Sequence, residues 1–474
     1  MIRTFQESKG AGKANLAVFA LFLLALLFFG GASRGDEVAQ PIVRLAAIAV
    51  LAWAAFRFDR EARARAGTIG AMFAALALLL AVQLVPLPPG LWEALPGRSL
   101  YADALATAGV GAAWRPLSLT PDLTLNALLG LLPAAAALAV VALIPRKLGP
   151  LVLALLLAAI AVAVLLAIFQ VSTGRPYLYR TTNVGAAVGS FANRNHFALF
   201  VALALPLLAG WAGIAPRRGE RPGIRDILAL SCASAVFPIL LIAGSRGGLI
   251  CGAFAAAAAL ALVLISRPTL DRRKRGIVLA VGAAGIAAII AVFVLFSRDE
   301  AFKRLLSGSD DDSRGDLTPM VLRMIGDYFP FGSGWGSFDP LYRMYESDAT
   351  LDPTYANQAH NDLLQIALEG GLPAAMLLAW LAIWFSKRSL AVWRNRVGEP
   401  DVLARVGSAI IATIALSSAF DYPLRTPLLA TIFVVAGLWL APAPRVGTDD
   451  GGSETGGDGL EDGLALRVGF GVVE

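Results

Sequence analysis

Residues 357–385 read NQAHNDLLQIALEGGLPAAMLLAWLAIWF, and the stretch changes character at its middle. From Leu372 onward it is apolar, and with the turns before it the segment reaches the roughly 20 residues that cross a bilayer as a helix. Its first half carries a His, two Asn, an Asp, two Gln and a Glu. Asn361, Gln365 and Glu369 fall at i, i+4 and i+8, which is one stripe of a helix. Polar groups at membrane depth are costly and face a bundle interior or a wet cavity. A lone helix touching only lipid would not carry this stripe, so the stretch predicts a bundle with a polar site at one end. Gly370, Gly371 and Pro373 then permit a bend before the purely apolar part.

The rest of the chain agrees. Of 474 residues, 57% are hydrophobic and 16% charged, with a mean hydropathy of +0.68, far from the soluble-protein balance. Apolar runs near membrane-spanning length recur about twelve times, over roughly 16–32, 41–57, 68–86, 124–144, 148–170, 196–214, 226–244, 247–266, 277–297, 361–386, 405–420 and 424–441. The last two are either tightly joined through 417–425 or one kinked helix. The expected fold is an all-α integral membrane protein, with a polytopic domain over 16–442.

The loops alternate in kind. RFDREARARAG (57–67), PRRGERPGIR (216–225), RPTLDRRKR (267–275) and KRSLAVWRNR (387–396) are short and basic. Loops 87–123 and 298–358 are long and mixed, and the second holds eleven Asp or Glu against six Lys or Arg. By the positive-inside rule the basic set, the N-terminus (1–15) and the tail are cytoplasmic. The net charge of +6 therefore follows topology and gives a nucleic-acid partner no support.

The first apolar run follows a basic leader, as in a signal peptide; left uncleaved, it keeps the charge alternation in phase and reads as a signal anchor. In 87–123, Pro and Trp predict a short interfacial segment. In 298–358, LTPMVLRMIGDYF predicts a helix with Met320, Val321, Met324, Ile325 and Phe329 on one face, lying on the outer surface as part of a lid. The tail 443–474 is Gly-rich and acidic and reads as disordered. Cys232 and Cys251 lie in apolar spans and imply no disulfide framework.

The chain has two histidines, His196 and His360, and both fall at the outer mouth of a span. Taken singly, each reads as a cap in a wet interface. Their neighbours argue for a site: Asn193, Arg194 and Asn195 beside His196, and the polar stripe after His360. A helix N-terminus favours anions and the neutral form of an imidazole, which can then serve as a general base. Arg246 sits at an external turn between glycines that allow close backbone approach. Arg180, Arg194, Arg314 and Arg425 are also external, against the positive-inside trend, and forked guanidinium donors suit phosphate oxygens. Asp310, Asp311, Asp312 and Asp316 offer oxygen ligands, but without a spaced metal motif they read as a solvated loop. No Walker loop, dinucleotide fingerprint or HExxH helix is present, and no cofactor is implied.

GSFANRNHFA (189–198), AGSRGG (243–248), Arg314 followed by FGSGWGSF (331–338), QAHNDLLQIALEGGLP (358–373) and FDYPLRTP (420–427) occur in this order. In that order they resemble the O-antigen ligase and polymerase superfamily, over roughly residues 120–440. Arg194 stands where such proteins often have proline, as an added phosphate ligand or a changed turn. The resemblance implies a GT-C-like architecture in the bacterial inner membrane and metal-independent glycosyl transfer on the periplasmic face. The donor would be a glycan on a polyprenyl diphosphate, and the acceptor lipid A core or another glycan or protein hydroxyl. Carried onto this chain, it makes His360 the base and Arg246 and Arg314 the diphosphate clamp. Arg180, Asn193, Arg194, His196, Asn361 and Arg425 become substrate-binding candidates. The sequence leaves a ligase and a polymerase both open. A sugar or anion transporter is the rival class, set against by polar groups gathered at one face and by halves that do not look alike.

Overall fold

The computed structural model describes residues 2–35, 37–214, 223–266, 271–307, 313–346, 356–394 and 402–442. The tail from 443, the Asp310–312 run and the side chains of Arg314 and Asp316 lie outside the described residues.

The protein is an all-α, multi-pass membrane protein. Nine described helices are long and apolar enough to cross a membrane, and the shorter apolar helices Ala39–Ala55, Val402–Ser418 and Pro427–Leu440 stand at three other expected positions. The one sheet among the described residues is a two-residue antiparallel pairing of Pro86–Leu87 with Arg115–Pro116 inside the first long loop.

Local chemistry explains where the helices depart from the expected spans. The run expected at 196–214 is two helices, Arg194–Ala202 and Ala204–Gly213, broken where the Pro206 ring opposes the carbonyl of Ala202. The helix expected to end near 297 continues to Ser307. At the other end of the chain, Val402–Ser418 and Pro427–Leu440 are separate helices joined by a tight turn with a single 3-10 segment, Pro423–Arg425. Pro423 and Pro427, which cannot donate into a continuing helix, enforce the break.

The long helix Asp362–Arg394 bends where expected, with Gly371 at φ 58° and ψ −149°. Pro373 has no N–H for the Glu369 carbonyl, and that oxygen instead accepts Gln83 Nε2 at 2.9 Å and the Gly334 N–H at 3.0 Å. The Leu368 carbonyl, also released by the bend, accepts the Ser333 N–H at 3.0 Å, while the Leu372 N–H donates to the Pro330 carbonyl at 2.8 Å. The FGSGWGSF loop is therefore docked on the bend by backbone hydrogen bonds, which satisfies the buried polar groups the bend exposes.

The helix Arg194–Gly213 is the centre of the bundle, with 83% of its spanning window buried against 6% for Arg275–Val292. Phe191, Phe197 and Phe200 fill the space around it. The helix of the second long loop is Ser313–Tyr328. It buries Leu317, Val321, Met324 and Tyr328, a set shifted from the expected one, so that Phe329 is 51% exposed.

Helices that begin at one end of the bundle finish at the other in arginine-bound carbonyls. Arg225 Nη1 donates to Ile214 O at 3.2 Å, Arg405 Nε to Val392 O at 3.0 Å, Arg146 Nη2 to Ala441 O at 2.6 Å and Arg388 Nη2 to Leu440 O at 3.2 Å. The last carbonyls of a helix lack intrahelical donors and carry partial negative charge, so cations there satisfy both needs.

Candidate functional site

At the end opposite those arginines, four chain segments converge: the start of Arg194–Ala202, the 243–248 turn, the residues before Asp362, and the 417–425 turn. Asn193 caps its helix by accepting the Asn195 N–H at 2.8 Å. Gln170, fully buried, pins the approach, accepting the Gly189 N–H at 2.8 Å and donating to Gly189 O at 2.9 Å. Asn195 is thereby aimed at the 417–425 turn, where its Nδ2 donates to Asp421 Oδ2 at 2.9 Å. Its Oδ1 accepts Ser245 Oγ at 2.8 Å. Arg246 opens the Arg246–Ser266 helix one residue on, with its side chain exposed. Gly247 has no Cβ because one would lie 2.6 Å from the Phe420 ring, so this turn packs directly on the 417–425 turn.

Asp421 is the centre of the arrangement. Its Oδ1 lies 3.7 Å from His196 Nε2 and 3.6 Å from His360 Nδ1, and it accepts the Tyr422 N–H at 2.9 Å. Both imidazole distances exceed a hydrogen bond but lie within ion-pair range. The Tyr422 ring stands 5.1 Å from each imidazole, edge-on to His196 and tilted to His360. Burial pushes the Asp421 carboxyl up, but the two imidazoles outweigh it and hold it well below the usual carboxylate range. The histidines differ in access: the side chain of His196 is 1% exposed and that of His360 21%. His360 also has φ 50°, and among the described residues it is the one non-glycine at positive φ. Backbone strain of this kind persists where the surroundings fix it and is concentrated at functional sites.

Of the polar stripe after His360, Gln365 and Glu369 are buried as expected, at 1% and 0% exposure, while Asn361 at its mouth is half-buried. Asn361 is the helix cap, accepting the Leu364 N–H at 3.1 Å and donating to Ala419 O at 2.9 Å. Gln365 Nε2 donates to Glu369 Oε1 at 2.9 Å, and Arg425 Nη2 reaches Glu369 Oε2 at 3.1 Å. Arg425 Nε is 3.5 Å from Asp362 Oδ1, whose Oδ2 accepts Ser418 Oγ at 3.1 Å. Burial disfavours the Arg425 charge, but Glu369 and Asp362 outweigh it and raise its pKa.

Two cavities meet at Arg425. A partly polar one of about 670 Å³ extends from it toward Arg34, Arg44, Asn126 and Asn357, and Trp335 forms part of its wall. An apolar one of about 270 Å³ runs down the bundle past Phe73, Leu378, Trp384 and Phe433. They share Leu131, Trp335, Leu424 and Arg425.

Of the residues singled out by sequence, His196, His360, Asn193, Asn361 and Arg425 come together here. Arg194 is exposed on the same helix start, its Nη1 3.9 Å from where a Cβ of Gly244 would sit. Arg180 is exposed in the 174–193 segment. Arg314 lies in the first turn of Ser313–Tyr328. Asn195, named in sequence only as part of the polar cluster beside His196, is a direct partner of Asp421, whereas Asp421, Ser245 and Asp362 are not singled out by sequence. Asp421 lay within FDYPLRTP, and an acid between two apolar runs was the available signal. No grouping of three or more His, Cys, Asp or Glu suited to a metal is found among the described residues.

Residues 231–379 match the family model described as O-antigen ligase, a stretch that includes Arg246, the FGSGWGSF loop, His360 and Glu369. No curated protein matches the chain.

Proposed function

From its membership of the O-antigen ligase superfamily, we propose that this protein is a glycosyltransferase of the ligase type, moving a glycan from a polyprenyl diphosphate to an acceptor hydroxyl. The observation that carries this reading is the convergence of two imidazoles on one buried Asp421 oxygen, at 3.6 Å and 3.7 Å, at the end of the bundle away from its arginine-bound carbonyls. With the basic loops cytoplasmic, that end is periplasmic, where the carrier presents its glycan.

His360 is the base, since His196 is sealed from solvent. The Asp421 charge, 3.6 Å from Nδ1 of His360, favours the tautomer protonated there, leaving Nε2 to take the acceptor proton. As that proton transfers, the acceptor oxygen bonds to the anomeric carbon and the bond to the diphosphate oxygen breaks, its electron pair leaving with the diphosphate. Asp421 stabilises the imidazolium that results. Arg246 and Arg314 take the charge on the leaving group, so the reaction as read needs no metal. Arg180 and Arg194 are further hydrogen-bond donors to an anion on the same side. The groove past Phe73 and Phe433 supports a lipid-borne substrate.

The test is transfer by the purified protein from a lipid-linked donor. If H360A and R246A both transfer at the parental rate, the assigned site is wrong. A deletion strain separates the two chemistries of the superfamily. Intact polymer accumulating on its lipid carrier supports a ligase, whereas single repeats on the final acceptor with loss of long chains support a polymerase.

A further inference from the structure

The 670 Å³ cavity mixes charged, amide and apolar groups, and part of its charge is already paired. Arg425 is held by Glu369 and Asp362, and Asp339, on the cavity wall, is paired with Arg343 at 2.8 Å. Arg34 and Arg44 on the wall are balanced in number by Asp122 and the second carboxylate at Arg425. Arg44 Nη2 is spent on a neutral partner, Asn126 Oδ1, at 2.6 Å. A site for diphosphate needs guanidinium charge in excess, whereas the wall's Arg34, Arg44 and Arg425, taken with the ion-pair partner Arg343, are equalled in number by Asp122 and Asp339 on the wall and Asp362 and Glu369 behind it. The rest of its wall mixes amides such as Asn126, Asn357 and Gln358 with apolar side chains such as Leu123, Phe338 and Leu424 and one indole, a set that offers donors and acceptors to hydroxyl groups beside apolar and aromatic surface.

That indole belongs to Trp335, and its backbone is fixed on both sides. The Trp335 N–H donates to Gln83 Oε1 at 3.0 Å, and its carbonyl accepts Thr124 Oγ1 at 2.7 Å. Its neighbours Gly334 and Gly336 have φ 106° and 88°. A Cβ on Gly370 would lie 2.9 Å from Trp335 Cζ3, so the ring lies against the bend of the long helix. A held aromatic ring beside amides and carboxylates suits the apolar C–H face of a sugar, whose hydroxyls then reach the polar wall.

We propose that this cavity is a subsite for an uncharged stretch of glycan, with Trp335 as its stacking platform and specificity-determining residue. The inference rests on the glycosyl-transfer reading and separates two tasks within it. Phosphate is handled on the Arg246 side of His360, and sugar on the Trp335 side.

The test uses the full-length protein in lipid nanodiscs, titrated calorimetrically with free oligosaccharides released by mild acid from the lipid-linked glycan pool of the host cells. W335A is expected to weaken binding at least tenfold and W335F to stay within about threefold of the parent, with thermal unfolding confirming that both are folded. Saturating inorganic pyrophosphate is expected to leave the glycan affinity within twofold. Absence of binding to the parent, parental affinity in W335A, or displacement by pyrophosphate each overturns the subsite. In steady-state transfer, a KM raised by W335A for the acceptor assigns the sugar to the acceptor, and a KM raised for the donor assigns it to the donor. A fall in kcat with both KM values unmoved counts against the proposal. Because the titration contains no donor, failure of the transfer reading leaves the binding result standing. Transfer with glycan binding unmoved in W335A sinks the subsite alone.

Discussion

Replacing Asp421 by Asn keeps the shape of the side chain and removes one charge from beside His360. In the transfer step His360 becomes an imidazolium with its Nδ1 3.6 Å from Asp421 Oδ1. At an effective dielectric of about 20, unit charges at that distance interact by about 4–5 kcal/mol. A factor of ten in rate corresponds to about 1.4 kcal/mol, so D421N is expected to lower the transfer rate about 10³-fold. The assay is single-turnover transfer from a lipid-linked donor by protein in nanodiscs, at saturating donor and acceptor, with unfolding followed in parallel. Binding of either substrate is expected to change little, since Asp421 is buried at 1% exposure. A folded D421N protein that transfers within about threefold of the parental rate refutes the role given to the carboxylate, and with it the imidazolium.

H360Q is expected to abolish transfer, whereas H196Q, altering a sealed side chain that reaches substrate only through Asp421, should lower kcat about tenfold with KM unmoved; equal losses in the two would show that access does not decide the base. The depressed Asp421 carboxyl makes a pH prediction, because its contribution to stability is present above the unfolded carboxylate value and lost as pH falls through the lower folded one. The gap in unfolding temperature between parent and D421N should therefore persist from pH 5.5 down to about 4, the unfolded value, and close only below it; a gap already closed at pH 5 contradicts this. G371A places a Cβ 2.2 Å from Pro330 O at φ 58° and is expected to destabilise by about 2–4 kcal/mol, against no measurable change for G111A, which meets nothing within 4 Å. E369A leaves Arg425 with Asp362 alone in a buried setting and is expected to cost about 3–5 kcal/mol, with E369Q intermediate because it keeps the Gln365 contact; denaturation in mixed micelles reads both.

Much of this molecule is written locally. Apolar runs report spans because a backbone in hydrocarbon must satisfy its own hydrogen bonds, and a continuous apolar run of about 20 residues does so as a helix. The stripe of Asn361, Gln365 and Glu369 reported a buried face for the same reason that it is costly to expose, and Gly371 with Pro373 reported the bend. The order of motifs pointed to the superfamily that the match over 231–379 supports. What periodicity does not carry is which helix ends meet. Asn195 and Asp421 are 226 residues apart, and an acid between two apolar runs reads the same whether it faces headgroups or two histidines. The bundle packing placed Asp421 between His196 and His360, because those ends lie together only when the helices carrying them are neighbours. It also gave Glu369 its partner, Arg425, at the junction of two cavities. Residue spacing fixes the face of a helix, whereas the partner of that face depends on the summed packing of every helix around it.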